Sequence, residues 1–253
     1  MSIYQSTGLR DFLQQGGCMR RAFLNGELRI RSGSAPADAN AAETGTLLVT
    51  VTVASGTRTN EVRAAGSVRL DTGGSGSVNT VTVSGIEVMG SATNFDTSLI
   101  VTAANVVDKI NKWNPMGIWA VTDGAATPTI TLYAPLGAGA VTWTVASTVT
   151  TITKTDSNFS GGTAPANGLQ YGLSSTGAVA KTGVWSGVVG AGGVAGYWRL
   201  CGSVSDAGGS STTLIRLQGT CGTSGADYNM GSTTLVLSAT HTVDTWTLTE
   251  PAS

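Results

Sequence analysis

Apolar and polar positions follow two periods along this chain, and the places where the period switches divide it into segments. Glu27-Leu28-Arg29-Ile30-Arg31 alternates apolar with charged residues, which predicts a strand with one apolar face. Thr46 to Val53 alternates valine with threonine, and Ser67 to Leu70 repeats the pattern more briefly. Val78 to Val83 and Ile86 to Met89 flank Ser84-Gly85, a hairpin signal. Further strands are predicted at Ile118 to Val121, Thr129 to Tyr133 and Val141 to Thr153, the last with Val141, Trp143 and Val145 on one face. Six more follow at Gly168–Leu173, Gly183–Val189, Tyr197–Val204, Thr212–Gln218, Thr233–Ser238 and Thr242–Thr249.

Helical spacing is rarer. Thr7 is a candidate cap for a short helix carrying Leu9, Phe12 and Leu13 and ended by Gly16-Gly17, and a second turn spans Met19 to Leu24. The one long helix is predicted from a cap at Thr102. Ala103, Val106, Val107, Ile110 and Trp113 recur on one face, and Asp108 and Lys112 form an i,i+4 pair on another.

These elements predict a mainly β chain with a small α+β module, in three parts. Residues 1–72 form an N-terminal docking region of short helices and strands. Residues 73–165 form the α+β module, whose helix covers a sheet face. Residues 166–253 form an all-β part, sandwich or barrel-like, with turns at Asp206-Ala207-Gly208-Gly209, Gly222-Thr223-Ser224-Gly225 and Asn229-Met230-Gly231. Ser32–Gly45 reads as a loop, and the Gly/Ser-rich stretches at 72–77 and 160–165 read as connections. No fixed-period repeat points to a solenoid.

Charge changes this picture. Only 11% of the 253 residues are charged and the net charge is -1, whereas soluble domains carry about 25% charged residues. A surface of Thr, Ser, Asn and Gly is the consequence, and it loses water more cheaply than an ionic one. That suits a protein covered by neighbours. Residues 1–72 hold eight arginines against six acids; the rest holds six bases against nine acids. Arginine tolerates interfaces well, so Arg10, Arg20, Arg21, Arg29 and Arg31 are the candidate docking residues. This excess is too small for a nucleic-acid footprint. No stretch is long and apolar enough for a membrane helix, and Met1 to Gln5 lacks a secretory leader pattern.

Candidate chemistry is sparse. His241 is the only histidine; Asp244 or Asp227 lies near enough in sequence to join it, but no Gly-x-Ser-x-Gly elbow supplies a nucleophile. A carboxylate pair for glycoside cleavage remains open among Glu61, Glu87, Asp96, Asp108, Asp123, Asp156, Asp206, Asp227, Asp244 and Glu250. Cys18, Cys201 and Cys221 have no metal-ligand spacing and read as small buried hydrophobes, with a Cys201–Cys221 disulfide the other option. The Gly187–Gly193 run lacks the ending of a phosphate loop. Trp143, Trp198 and Trp246 fall in alternating strands and read as core, while Trp113 and Trp119 flank Asn114-Pro115-Met116-Gly117 and read as an aromatic contact patch. No cofactor or metal is expected, and no enzymatic activity.

Several phrases carry a resemblance. Gly8-Leu9-Arg10, Ala22-Phe23-Leu24-Asn25-Gly26, Leu28-Arg29-Ile30-Arg31-Ser32-Gly33, Pro36-Ala37-Asp38-Ala39 and Thr44-Gly45-Thr46-Leu47-Leu48 look like the opening of virion structural proteins from tailed bacteriophages. The end, from Val204 through Gly222-Thr223-Ser224-Gly225-Ala226-Asp227 to Trp246-Thr247-Leu248-Thr249, resembles the C-terminal part of the same proteins. Val81 to Thr153 is similar to small modules inserted in phage and flagellar surface proteins. The resemblance implies a place in the particle, on capsid or tail, after synthesis in the host cytoplasm. It implies partners among copies of the chain and other virion proteins, such as major capsid or tail proteins, in a homo-oligomer. It carries over no active-site residue. Capsid decoration is the leading expectation, a tail-associated protein or adhesin for a host surface glycan or protein the second, and a carbohydrate-active enzyme the third.

Overall fold

Short Val- and Thr-rich runs separated by glycine turns form most of the regular structure in the computed structural model, which describes residues 3–113, 115–173, 175 and 177–249. Asn114 of the predicted contact turn and Glu250 near the chain end lie outside them. In chain order the elements are β1 (Tyr4–Gln5), α1 (Thr7–Gln14), α2 (Met19–Phe23), β2 (Glu27–Ser32), β3 (Leu47–Val53), β4 (Ala65–Thr72), β5 (Ser77–Val83), β6 (Ile86–Glu87), β7 (Thr93–Asn94) and α3 (Leu99–Trp113). There follow β8 (Trp119–Thr122), β9 (Thr129–Tyr133), β10 (Val145–Thr150), β11 (Thr153–Ser160), β12 (Gln170–Tyr171), β13 (Ala178–Thr182) and β14 (Trp185–Val188). The last are β15 (Gly193–Cys201), β16 (Arg216–Gly222), β17 (Tyr228–Asn229), β18 (Thr234–Leu235), β19 (Thr240–Val243) and β20 (Thr247–Thr249). The chain is mainly β, as its periodicity predicts, and no sheet among the described residues closes into a barrel.

The module boundaries differ from those expected at 72 and 165. The chain forms two units, Met1–Glu61 with Pro165–Ser253, and Val62–Ala164. The N-terminal region is not separate from the all-β part, because β2 lies between β15 and β3 and the latter pairs with β14. Ala65–Thr72, placed with the N-terminal region by sequence, pairs with β9 and β11 and so belongs to the inserted unit.

In the first unit a nine-stranded sheet runs β1-β16-β15-β2-β3-β14-β19, with β17 beside β16 and β18 beside β15. Only the β16–β17 pair is parallel. A three-stranded sheet, β12-β13-β20, shares its core. That core is aromatic: Tyr171 meets Trp185 edge to face at 5.0 Å, and Trp198 meets Trp246 at 4.9 Å. Trp185 is wholly buried and donates its indole N–H to Thr182 O at 3.1 Å. Trp198 of β15 is a core residue, as its strand position predicts, and Trp246 is buried too although it lies between β19 and β20 rather than within a strand. Leu9, Met19, Ala22 and Phe23 of the two short helices complete it. The cap of α1 is Ser6 rather than Thr7, because Ser6 Oγ accepts from Leu9 N and also bonds Leu214 O and Arg216 N. Gly196 interrupts the β15–β2 register, where a Cβ would lie 1.8 Å from Gly33 O. Only glycine allows the backbones that close.

In the second unit one sheet runs β11-β4-β9-β8 and the other β10-β5-β6, with β7 beside β5. Helix α3 buries Leu99, Thr102, Ala103, Val106 and Ile110 in the core that also contains Val68, Leu70, Ile130 and Leu132. Ala103, Val106 and Ile110 of the predicted face are buried and Val107 packs at the margin, but Trp113 stays exposed, and the helix begins earlier than Thr102. Ser98 Oγ accepts from Val101 N, and Thr102 turns its hydroxyl back to Ser98 O. The strand predicted through Val141–Thr153 is shorter and turns at Thr151, which adopts φ 62°, into β11. Trp143 precedes β10 and packs at the core's margin.

Pairing of Thr59 with Ala166 brings the two chain segments that bracket the insertion side by side. A chain lacking residues 62–164, closed by a short Gly/Ser linker, is therefore expected to keep the near-ultraviolet circular dichroism of the tryptophan cluster and a cooperative melt. Loss of both would contradict the division into two units.

Candidate functional site

The charged face of β2 is not open to solvent. Arg29 reaches Glu27 at 2.5 Å, Glu43 at 3.1 Å and the Asp206 carbonyl at 2.5 Å. Arg31 pairs with the other oxygen of Glu43 at 2.7 Å and donates to Thr44 O and Gly45 O. Arg58 closes on Glu27 at 2.8 Å and donates to Ser203 O. Deeper, Arg216 grips Asp206 with two bonds of 2.6 Å, both side chains almost fully buried. Arg199, also fully buried, donates to Gln218 Oε1 and to Ala41 O, while Gln218 donates to Pro36 O. The loop predicted between Ser32 and Gly45 is thus a cover, fastened to the sheet by guanidinium and amide groups. The 202–215 segment is fastened beside it, with Glu43 N donating to Gly208 O. A cleft of about 340 Å³ remains, lined by Glu27, Arg29, Arg31, Glu43 and Asp206 among others.

The five candidate docking arginines are therefore dispersed. Arg29 and Arg31 meet at Glu43 inside this layer. Arg20 donates to Gly172 O at 2.9 Å. Arg10 lies exposed on α1 and bonds Thr7 Oγ1, and Arg21 is half-buried on α2. Sequence reasoning missed Arg58, Arg199 and Arg216, which do as much to hold the layer. The alternation of β2 shows a charged face without showing that a loop covers it.

Trp113 is 61% exposed at the end of α3, and a Cβ added at Gly90 would come within 2.9 Å of its ring. Trp119 opens β8 and is half-buried. No ring contact joins them among the described residues. His241 Nε2 lies 3.2 Å from the Tyr228 hydroxyl. Burial holds its pKa below the usual imidazole value, against the opposing charge of Asp244. Asp227 instead accepts from Thr220 N and Oγ1. All three cysteines are free, and Cys18 is exposed rather than buried. Cys201 lies opposite Arg216, five residues before Cys221, so the two thiols are separated by about 17 Å along the ladder. That exceeds disulfide reach. Among the described residues no group of three or more His, Cys, Asp or Glu side chains is placed to hold a metal.

One surface combines exposure with an absence of charge. Val194 of β15 pairs with Thr234, and Val236 and Leu237 follow β18 directly. Their turn is closed by Ala239 N donating to Val236 O, with Ser238 at φ 65°. Val189 is bonded to Ser238 and Ala239, which brings Val188 against Thr240. Val188, Val194, Val236 and Leu237 are each more than half exposed, and Leu47 is partly so. Beside them β19 ends the sheet, with Thr240 and Thr242 exposed. This aliphatic face and open edge are the candidate site, a contact surface. The Gly187–Gly193 run is part of it, as the turn between β14 and β15. No family model, curated protein or solved structure matches the chain.

Breaking a buried ion pair by removing one partner costs about 3–5 kcal/mol, which is the loss expected for Asp206→Asn in urea unfolding at pH 7. Arg69→Ala, at an exposed pair in the inserted unit, is expected to cost about 1 kcal/mol or less. Desolvation pushes the Asp206 carboxyl up, but the bonds from Arg216, the Gly208 amide and the Arg29 charge outweigh it and hold the group below its usual value. Its contribution is therefore present above the unfolded value near 3.9 and lost as pH falls through the lower folded value. Below about pH 4 the wild type should lose stability faster than Asp206→Asn. Equal acid slopes would contradict the assignment.

Proposed function

We propose that this chain is a non-enzymatic structural protein that works by packing against copies of itself and partner proteins in the virion of a tailed bacteriophage, most directly as a subunit that decorates or cements the capsid. The observation that carries the packing role is the uncharged aliphatic face of Val188, Val194, Val236 and Leu237 beside the open edge of β19. Exposed apolar surface on a monomer is often functional, and here four aliphatic side chains more than half exposed sit on segments joined by the Val194–Thr234 and Val189–Ala239 pairings. The charges that would oppose close approach are few, and many are turned inward by the Arg29–Glu43 and Arg216–Asp206 layer. The particle itself is supported by the phrases at both chain ends that resemble phage virion proteins. Synthesis in the host cytoplasm and assembly into the virion follow from that reading.

A second reading, a tail-associated adhesin for a host surface glycan or protein, is favoured by Trp113, whose ring crosses Gly90 and stays largely open to solvent. Quantitative mass spectrometry of purified particles of the source phage separates the two. Decoration predicts copies in the hundreds, located on heads. A dozen copies or fewer, on tails, would overturn decoration in favour of the adhesin. Absence from the particles would overturn both.

A further inference from the structure

We infer that the open edge of the contact surface is closed by a second copy of this chain, through two-fold antiparallel pairing of β19 with β19 of the other copy. This rests on the packing role proposed above and names its partner. The backbone pattern supplies the register. Val189 N donates to Ala239 O, and β19 continues opposite β14 as Val188–Thr240, Gly187–His241, Ser186–Thr242 and Trp185–Val243. In an antiparallel ladder the bonded pairs alternate. His241 and Val243 therefore turn their amides and carbonyls toward β14, and Thr240 and Thr242 turn theirs outward. Two outward residues separated by one inward residue are self-complementary about a two-fold axis. Thr240 of one copy bonds Thr242 of the other and the reverse, giving four main-chain hydrogen bonds centred on the two His241 residues.

The other sheet edges differ from this one. Asn111 of α3 blocks the edge at Ala120 in β8, accepting from its N–H at 2.8 Å and donating to its carbonyl at 2.9 Å. Asp156 and Asn158 of β11 take the free amides of Ser147 and Val145 in β10, and β11 itself carries Lys154 and Asp156. β1, β6, β7, β12, β17 and β18 have two residues each, and β20 has three. β19 has four residues, and neither proline nor Lys, Arg, Asp or Glu within it, so none of the usual guards against strand addition protects it. Its neighbours Val188, Val236 and Leu237 extend the same surface.

The symmetry of the edge argues for a second copy. Its outward residues, Thr240 and Thr242, stand one on either side of His241, so the edge complements itself about a single two-fold axis, and the same uncharged neighbours lie beside the paired strands in both copies. The scarcity of charge across 184–198 and 231–243, where Arg and Asp are absent from the exposed aliphatic positions, leaves no like-charge opposition when two identical faces meet.

Sedimentation equilibrium of the full chain at tens of micromolar is expected to give twice the 25.5 kDa chain mass. Thr242→Pro removes an outward N–H while leaving the β14 ladder intact, and Val236→Lys puts a charge in the patch. Each is expected to weaken association at least tenfold with an unchanged circular dichroism spectrum. In a Cys18→Ser background, His241→Cys is expected to form an interchain disulfide on mild oxidation, because the residues at the two-fold face each other across a non-hydrogen-bonded pair. A chain monomeric at these concentrations, or one that stays dimeric in both folded variants, would overturn the inference. So would a dimer in which position 241 does not cross-link. A monomer found at hundreds of copies on heads would sink the two-fold pairing and leave the particle role standing; a dimer absent from particles would do the opposite.

Discussion

The first unit depends on a layer of guanidinium groups that the protein keeps inside. Arg29, Arg31, Arg58, Arg199 and Arg216 are matched by Glu27, Glu43, Asp206, Gln218 and a set of backbone carbonyls, and two loops lie over them. A buried charge without its partner is costly, so the layer tolerates few alternatives. Arginine suits this task because its planar fork bonds a carboxylate and a carbonyl at once. Asp206 shows the economy of the arrangement: its carboxylate holds Arg216 and its carbonyl holds Arg29. Through these bonds, residues 27–43 and residues 199–218 form one body although the insertion lies between them in sequence.

That arrangement explains what the sequence makes legible. Alternation at Glu27–Arg31 and in the Val-Thr runs is a local property, and the strands appear where the period predicts them. Helix α3 was legible in its face for the same reason, while its start was displaced because Ser98 caps better than Thr102, whose hydroxyl is used inside the first turn. Strand partners were not legible. β2 pairs with β15, about 170 residues away, and nothing in either segment names the other. A charged strand face ordinarily faces water, so Arg29 and Arg31 read as docking residues; only the covering loops turn them into interior groups. Cys201 and Cys221 share neighbouring strands, as the sequence indicates, but the ladder offset keeps them apart.

Turning these charges inward leaves the contact face to Thr, Ser and a few aliphatics. The contact face was not legible in the sequence, where Gly183–Val189 reads as one more strand and Gly187–Gly193 as a glycine-rich run. Its completion by Val236 and Leu237 depends on the Ser238 turn and on β18 pairing with β15. The same economy that clamps the loops thus produces a surface suited to burial against other proteins. The inserted unit treats its edges differently, using Asn111, Asp156 and Asn158 side chains to occupy backbone groups that would otherwise stay open.

The central claim is that strands from both ends of the chain form one cooperative body held by the arginine layer. Native-state hydrogen–deuterium exchange tests it most directly. Amides of β2, β3, β15 and β16 are expected to exchange together, at the free energy of global unfolding of the first unit. Exchange of β2 and β3 at a markedly lower free energy than β15 and β16 would contradict it, because the N-terminal strands would then be a separable addition to an independently stable C-terminal sheet.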